Sequence, residues 1–383
     1  MALLTEEQSI LRDQARAWTD RRAPVSAYRE VRDSQPEQGF AAQTWREIVE
    51  LGWTGLLVPE RFGGVALGFM SFGLVLEQLG RELVASPLLT SSLAGVSALL
   101  EANDETHLVT LMPGIVDGTT ILTLAVDEGP RHAPDSIRMR AEARDGGFLL
   151  SGKKTFVLEG SSATHLLVAA RTSADETDSN THRLEGLTLF VVATAEAGVS
   201  TTKMHLADGR GYSEVNFHGV ELDSSAVLGR LGSGGTLLSK VLDRAAVGIA
   251  AEMLGSASRA FEMTLDYLKT RKQFGQVIGG FQALGHRAAE LYAAMELARS
   301  CVEAALIALD ENAADSNQLC SLAKARVGDF LFAMSNELVQ MHGGIGMTDE
   351  FDAGLYLKRA RAQEAAYGNR AFHRHRYARL LGF

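Results

Sequence analysis

The sequence predicts a mostly α-helical chain with a central β domain, and three observations carry that prediction. Helical periodicity fills residues 1–117, short β-rich runs broken by Gly, Asp and Ser occupy 118–228, and long stretches rich in Ala, Leu and Glu fill 229–383. At 383 residues the chain exceeds what a single hydrophobic core usually organises, so two or three subdomains are expected. The expected divisions are an N-terminal helical domain (1–117), a middle β domain (118–228) and a C-terminal helical bundle (229–383).

Each element has its own signal. Thr5-Glu6-Glu7-Gln8 has the form of a capping box, and Ile10, Leu11, Ala15 and Trp18 follow at helical spacing. Gly52-Trp53-Thr54-Gly55, Pro59 and Gly63-Gly64 break the pattern into a loop, after which Phe72 to Leu83 returns to a 3.6 period. Ile121 to Val126 reads as a strand, and Asp145-Gly146-Gly147 between Ile137–Arg144 and Phe148–Leu150 is a hairpin signal. Leu187 to Val192 and Glu214 to Phe217 add strands, and helices are expected at 237–269, 281–310 and 316–341. Residues 173–184, rich in Ser, Thr and Asp, read as a mobile loop, and no internal repeat is present.

Composition narrows the function. Charged residues make up 22 % and the net charge is −10, which disfavours nucleic acid as a partner because phosphate backbones require clustered Lys and Arg. The first residues lack a basic and apolar leader, and no apolar run approaches the roughly 20 residues of a membrane span, so a cytoplasmic location is the expectation. Cys301 and Cys320 read as packing residues, and His373 and His375 stand without a ligand constellation, so no metal is expected.

Two segments point to a cofactor. Arg271-Lys272-Gln273-Phe274-Gly275 continues through Gln276-Val277-Ile278-Gly279-Gly280-Phe281-Gln282, and Gln340-Met341-His342-Gly343-Gly344-Ile345-Gly346 follows downstream. With Leu51-Gly52-Trp53, Val58-Pro59-Glu60 and Gly63-Gly64 upstream, the chain closely resembles the acyl-CoA dehydrogenase family over essentially its whole length. Alone, Arg271 would more often be a surface or ion-paired residue and Gly343-Gly344 a helix-ending turn, whereas the paired motifs favour a cofactor role. The physical reading agrees, because a guanidinium meets a dinucleotide pyrophosphate bidentately and glycines permit close backbone approach. The resemblance implies the family fold, with an N-terminal helical domain, a β-barrel-like middle domain and a C-terminal four-helix bundle. It also implies FAD, contacted across a subunit interface by Arg271, Gln273, Phe274, Gln282, Gln340, Gly343 and Gly344. The further implications are an acyl-CoA substrate from fatty acid or sterol side-chain β-oxidation, a dimer or tetramer, and an acceptor such as an electron-transfer flavoprotein.

The chain departs from the family where flavin and substrate meet. Val126-Asp127-Glu128-Gly129-Pro130-Arg131-His132 stands in place of a Val-Thr-Glu-Pro-Gly-Ala-Gly-Ser-Asp-like loop, and Phe156-Val157-Leu158-Glu159 in place of Trp-Ile-Thr-Asn, so flavin-facing hydroxyls are missing. The family's chemistry needs a carboxylate base to remove the proton α to the thioester carbonyl. Counting along the motifs places Tyr367 and Ala245 at the two positions where relatives carry that Glu. Glu364, Glu252 and Asp243 are the nearby carboxylates, each more simply read as a capping or ion-paired acid. Glu252 lies two helical turns, about 10 Å, from Ala245, and Asp243 is turned about 200° from it.

These losses resemble one subunit of the heteromeric α2β2 acyl-CoA dehydrogenases of actinobacterial type, a likeness also carried by Asp243-Arg244, Ala251 to Gly255 and Leu355 to Ala360. Three readings stay open: an FAD-sharing dehydrogenase subunit, a catalytically silent partner, and a same-fold flavin oxidase using Asp243. The basic run of Lys358, Arg359, Arg361, Arg370, Arg374, Arg376 and Arg379 either meets phosphates or a partner or forms a solvated helical face, and Ser161 and Ser162 are turn serines within reach of a ligand role.

Overall fold

A computed structural model describes residues 3–172 and 184–383. The loop expected at 173–184 therefore lies outside the described residues except for Leu184, which stands in a turn. The helices are α1 Glu6–Arg22, α2 Val25–Ser34, α3 Ala42–Glu50, α4 Gly68–Arg81, α5 Val96–Ala102, α6 Glu105–Val116, α7 Gly234–Thr270, α8 Gln282–Asp310, α9 Ser316–His342, α10 Ala353–Ala365 and α11 Arg370–Leu380. The strands are β1 Leu122–Ala125, β2 Arg140–Arg144, β3 Gly147–Val157, β4 His165–Arg171, β5 Leu187–Ala193, β6 Val199–Lys203, β7 Ser213–Asp223, β8 Val227–Leu228, β9 Lys272–Gln273 and β10 Gln276–Val277.

The chain forms two compact units. One gathers Met1–Asp33, Phe69–Val84 and Ala246–Phe383, and the other Ser34–Gly68 and Ala85–Ala245. In the first, α1 opens with the expected capping box: the Thr5 hydroxyl accepts from Gln8 N–H at 3.1 Å and the Gln8 side chain accepts from Thr5 N–H at 3.1 Å. Ala15 and Trp18 are buried as their spacing requires, whereas Ile10 is 52 % exposed. The helix expected over Phe72–Leu83 is α4, and every residue from Met70 to Arg81 except Glu77 is buried. It is enclosed on nearly every side, polar residues such as Gln78 and Arg81 included.

α4 meets α7 at two glycines. A Cβ at Gly80 would lie 2.1 Å from the Glu252 carbonyl oxygen, and one at Gly255 would lie 1.9 Å from that of Glu77. Backbone therefore stands against backbone here. Gly255→Ala is expected to destabilise the protein by about 1–3 kcal/mol through overpacking, read as a lowered urea midpoint at unchanged slope. Farther along, α8 packs on α9, and α9 also carries α10 and α11.

The second unit is built on an eight-stranded sheet in the order β6-β7-β3-β2-β4-β5-β8, with β1 parallel to β4. Asp145-Gly146 closes the β2–β3 hairpin, with Arg144 opposite Gly147. Leu150, Val157, Leu166, Val168, Phe190, Val215 and Phe217 form the core against which Phe148 packs. Sequence reading missed β4 and β6. In β4 the five central residues are all buried, so alternation disappears, and β6 is a polar Val-Ser-Thr-Thr-Lys segment with little apolar signal. The segment Glu214–Phe217 proves to be the start of an 11-residue strand, β7, bulged against β3.

Candidate functional site

The two cofactor-type motifs come together in the first unit. Arg271 follows the last turn of α7, β9 and β10 form a hairpin directly after it, Gln282 opens α8, and Gln340 lies in the last turn of α9. Tyr267 and His342 tie them: their rings lie 4.3 Å apart, tilted by 32°, and the Tyr267 hydroxyl donates to the His342 carbonyl at 3.3 Å. Tyr267 lies one turn before Arg271 and its carbonyl accepts the Arg271 N–H at 2.8 Å, while His342 directly precedes Gly343. Burial lowers the His342 pKa, which keeps this packing imidazole neutral.

All seven candidate residues, Arg271, Gln273, Phe274, Gln282, Gln340, Gly343 and Gly344, are exposed. Phe274 is 90 % exposed and sits at φ 54°, followed by Gly275 at φ 79°. An aromatic at a left-handed hairpin tip carries backbone strain of order 1–3 kcal/mol, and leaving the ring in water adds to the cost. Gly343 adopts φ 62°, ψ −137°, a conformation essentially reserved for glycine. Among the described residues, a Cβ at Gly343 or at Gly344 would meet nothing within 4 Å beyond its own turn. Among the described residues nothing crowds position 344, whereas a ligand approaching the backbone would favour glycine there. An exposed guanidinium beside an open glycine backbone suits a pyrophosphate, so this face fits the adenine-dinucleotide half of FAD.

The second unit's counterpart of the flavin-lining loop is closed on itself. Asp127 accepts from Ala133 N–H at 3.0 Å and pairs with His132 at 2.9 Å, and Glu128 accepts from Arg138 and Met139 N–H at 2.8 and 3.0 Å. The fully buried Lys154 donates to the Val126 carbonyl at 3.0 Å and to Glu128 at 2.8 Å. Burial lowers the Lys154 pKa and Glu128 opposes that shift. On the next flavin-strand counterpart, Glu159 is fully buried against Arg210 at 2.8 Å. Ser161 and Ser162 donate to the carbonyls of Gly211 and Glu159. These groups serve each other, so this face does not fit the isoalloxazine in the manner of the family's hydroxyl-bearing loops.

Ala245 is fully buried within α7, and Tyr367 stands at φ 54° in the turn after α10. Glu252 is buried and accepts from Gln363 Nε2 at 3.1 Å, Glu364 lies 3.5 Å from Arg370, and Asp243 is 7 % exposed. Of the basic run only Arg359 is buried, while Lys358, Arg374 and Arg379 are exposed and Arg361, Arg370 and Arg376 are half-buried. Arg359 lies over the Tyr28 ring and Arg370 over Phe332, Arg361 bonds Asn336, Arg374 pairs with Asp329, and Arg376 bonds Ser321. Buried groups that escaped sequence reading include Lys154 and Arg210, and in the first unit Glu82, whose pKa burial raises, and Lys324 on α9. Glu82 and Lys324 each look like an ordinary surface residue of a helix; for Lys324 only the flanking Ala323 and Ala325 hint at burial. Among the described residues no group of three or more His, Cys, Asp or Glu is placed to hold a metal, and no helix is long and apolar enough to cross a membrane.

Comparison with known proteins gives these features a frame. Family models for the acyl-CoA dehydrogenase N-terminal, middle and C-terminal domains match residues 5–119, 128–224 and 232–382. The acyl-CoA dehydrogenase IpdE2 of Mycolicibacterium smegmatis is 30 % identical over 95 % of this chain and 96 % of its own. The solved structure of a Tcur3481-Tcur3483 steroid ACAD variant is 28 % identical with a TM-score of 0.85, over 98 % of both chains. Butyryl-CoA dehydrogenase of Megasphaera elsdenii, at 21 % identity and a TM-score of 0.88 over 100 % of this chain and 99 % of its own, shares the fold. The chain thus has the expected order of helical, β and helical domains, and it belongs to the acyl-CoA dehydrogenase family of FAD-dependent oxidoreductases.

Proposed function

We propose that this chain is the FAD-sharing subunit of a heteromeric acyl-CoA dehydrogenase, one that lends its outward cofactor face to a neighbour and relies on that neighbour for the catalytic base. The observation that carries this reading is a contrast. The seven-residue face around Arg271 and Gly344 is exposed and open, while both base positions, Ala245 and Tyr367, lack a carboxylate. Arg271 would hold the pyrophosphate; Gln273, Gln282 and Gln340 would supply hydrogen bonds; Gly343 and Gly344 would leave room for the dinucleotide backbone. FAD, when bound, supplies the acceptor for hydride from the substrate β carbon. Phe274, Tyr292 and Met347, exposed by 90 %, 54 % and 78 %, are apolar enough to seat the neighbouring subunit.

The similar steroid ACAD carries two paired names, Tcur3481 and Tcur3483, which favours an α2β2 arrangement here, and its steroid designation favours a bulky acyl-CoA substrate. An electron-transfer flavoprotein is the expected acceptor and the cytoplasm the expected location. The self-bonded loop at Asp127 and Glu128 favours a second reading in which the chain is catalytically silent and only completes its neighbour's site. The test is the visible spectrum of the chain purified alone and with a co-expressed partner, followed by anaerobic short, long and steroid-type acyl-CoA. Bleaching only in the assembly is expected; flavin in the lone chain that bleaches with any acyl-CoA would overturn the proposal. The silent reading would be favoured if base and FAD binding both survive in the partner when Arg271 is replaced.

A further inference from the structure

The peptide between His342 and Gly343 is pinned at both ends. Its carbonyl accepts the Tyr267 hydroxyl at 3.3 Å, and its N–H, that of Gly343, donates to the Gln340 carbonyl. The ring of His342 is held as firmly. Its Nδ1 lies 2.6 Å from the Leu338 carbonyl, which can only accept, so Nδ1 bears the proton. The imidazole sits between the rings of Tyr267 and Phe351, 4.3 and 4.4 Å away. His342 is 2 % exposed, and its Nε2 has no hydrogen-bond partner among the described residues. A leucine or phenylalanine would fill this slot without leaving a buried acceptor unpaired, so packing alone gives no reason for an imidazole here.

The same tyrosine also reaches Arg271. The Tyr267 carbonyl accepts the Arg271 N–H at 2.8 Å, and the Arg271 carbonyl accepts the Ile278 N–H at 2.9 Å. The backbone that carries the guanidinium is thus fixed on both sides while the side chain stays exposed. Tyr267 therefore holds the start of one motif by its carbonyl and the glycine turn of the other by its hydroxyl. We propose that Tyr267 is a positioning residue: its hydroxyl, bonded to the peptide that His342 anchors, keeps the Arg271 guanidinium in register with the Gly343-Gly344 backbone so that both meet one pyrophosphate. The role rests on the reading of this exposed face as the seat of FAD. Gly343, at φ 62°, ψ −137°, is free to turn where other residues are not, and rotation of the peptide before it would redirect the whole turn. The Tyr267 hydroxyl opposes that rotation.

Tyr267→Phe leaves the half-buried ring in place and removes only the donor. In the assembled enzyme, flavin release on dilution should show FAD held about 3- to 10-fold more weakly, the worth of one neutral hydrogen bond. The losses should not add. Introduced beside Arg271→Ala, Tyr267→Phe should weaken retention by less than about twofold further, because a residue that acts through Arg271 then has nothing left to position. A hydroxyl that merely stabilised the fold would weaken both backgrounds alike. In the FAD-free chain, hydrogen exchange at the Gly343 amide should speed up by a similar factor in Tyr267→Phe, which reads the released peptide without the cofactor. Where Arg271→Ala weakens retention, an unchanged Tyr267→Phe, equal losses in the two backgrounds or an unmoved Gly343 amide each overturn the positioning role and leave the cofactor face standing. Unchanged retention in Arg271→Ala would remove the cofactor face itself, and the positioning role with it.

Discussion

Arg210→Met is expected to lower the free energy of unfolding by about 3–5 kcal/mol, because it leaves a buried carboxylate without its counter-charge. Glu159 and Arg210 are 0 % and 1 % exposed, and Arg210 Nε and Nη2 both reach the same Glu159 oxygen, at 2.9 and 2.8 Å. Arg210 also donates to the Ser86 carbonyl at 3.3 Å, which a methionine would abandon. Glu159 has no easy escape to solvent, since it is 0 % exposed. Urea titrations of the single variant and of Glu159→Leu/Arg210→Met separate the parts. The double variant should recover most of the loss, since a well-packed apolar pair can replace a buried ion pair at little net cost. A single variant that loses less than about 1 kcal/mol would show that the pair is not buried as an ion pair.

Arg271→Ala is expected to weaken FAD retention in the assembled enzyme by roughly 10- to 150-fold, the worth of about 1.5–3 kcal/mol for hydrogen bonds to a charged group. Because Arg271 is exposed, the urea midpoint should move by less than about 0.5 kcal/mol equivalent. Arg271→Lys should recover only part of the affinity, since an ammonium cannot form the bidentate fork. Flavin release on dilution, followed by fluorescence, gives the affinities. Unchanged retention in Arg271→Ala would remove this residue from the cofactor face.

Both predictions concern side chains whose roles sequence and structure divide unequally. Arg271 could be proposed from the sequence because its motif is contiguous and its partner motif, Gln340 to Gly346, stands at the end of one periodic helix. Arg210 could not. It lies 51 residues from Glu159 in a loop without periodicity, and a charged residue in such a loop reads as surface until the fold encloses it. Lys324 was hidden for a similar reason: on a helix its neighbours set the phase, but the three carbonyls that receive it come from a turn some 40 residues away.

By itself the sequence determined the order of helical, β and helical segments, because local periodicity and turn chemistry are properties of neighbouring residues, and it determined the family through contiguous motifs. The same motifs carry the expectation that flavin-facing hydroxyls and the catalytic carboxylate are missing, since identity at a position needs no coordinates. Only the tertiary structure decided that α1, α2 and α4 belong with the C-terminal helices, and that Tyr267 and His342 join the two cofactor motifs into one exposed face. The structure also buried Arg359 over the Tyr28 ring, gave its neighbours Arg361, Arg370, Arg374 and Arg376 local partners, and closed the Asp127–Glu128 loop on Lys154. Those outcomes depend on contacts between residues distant in the chain, where burial and pairing, not local pattern, set the energy.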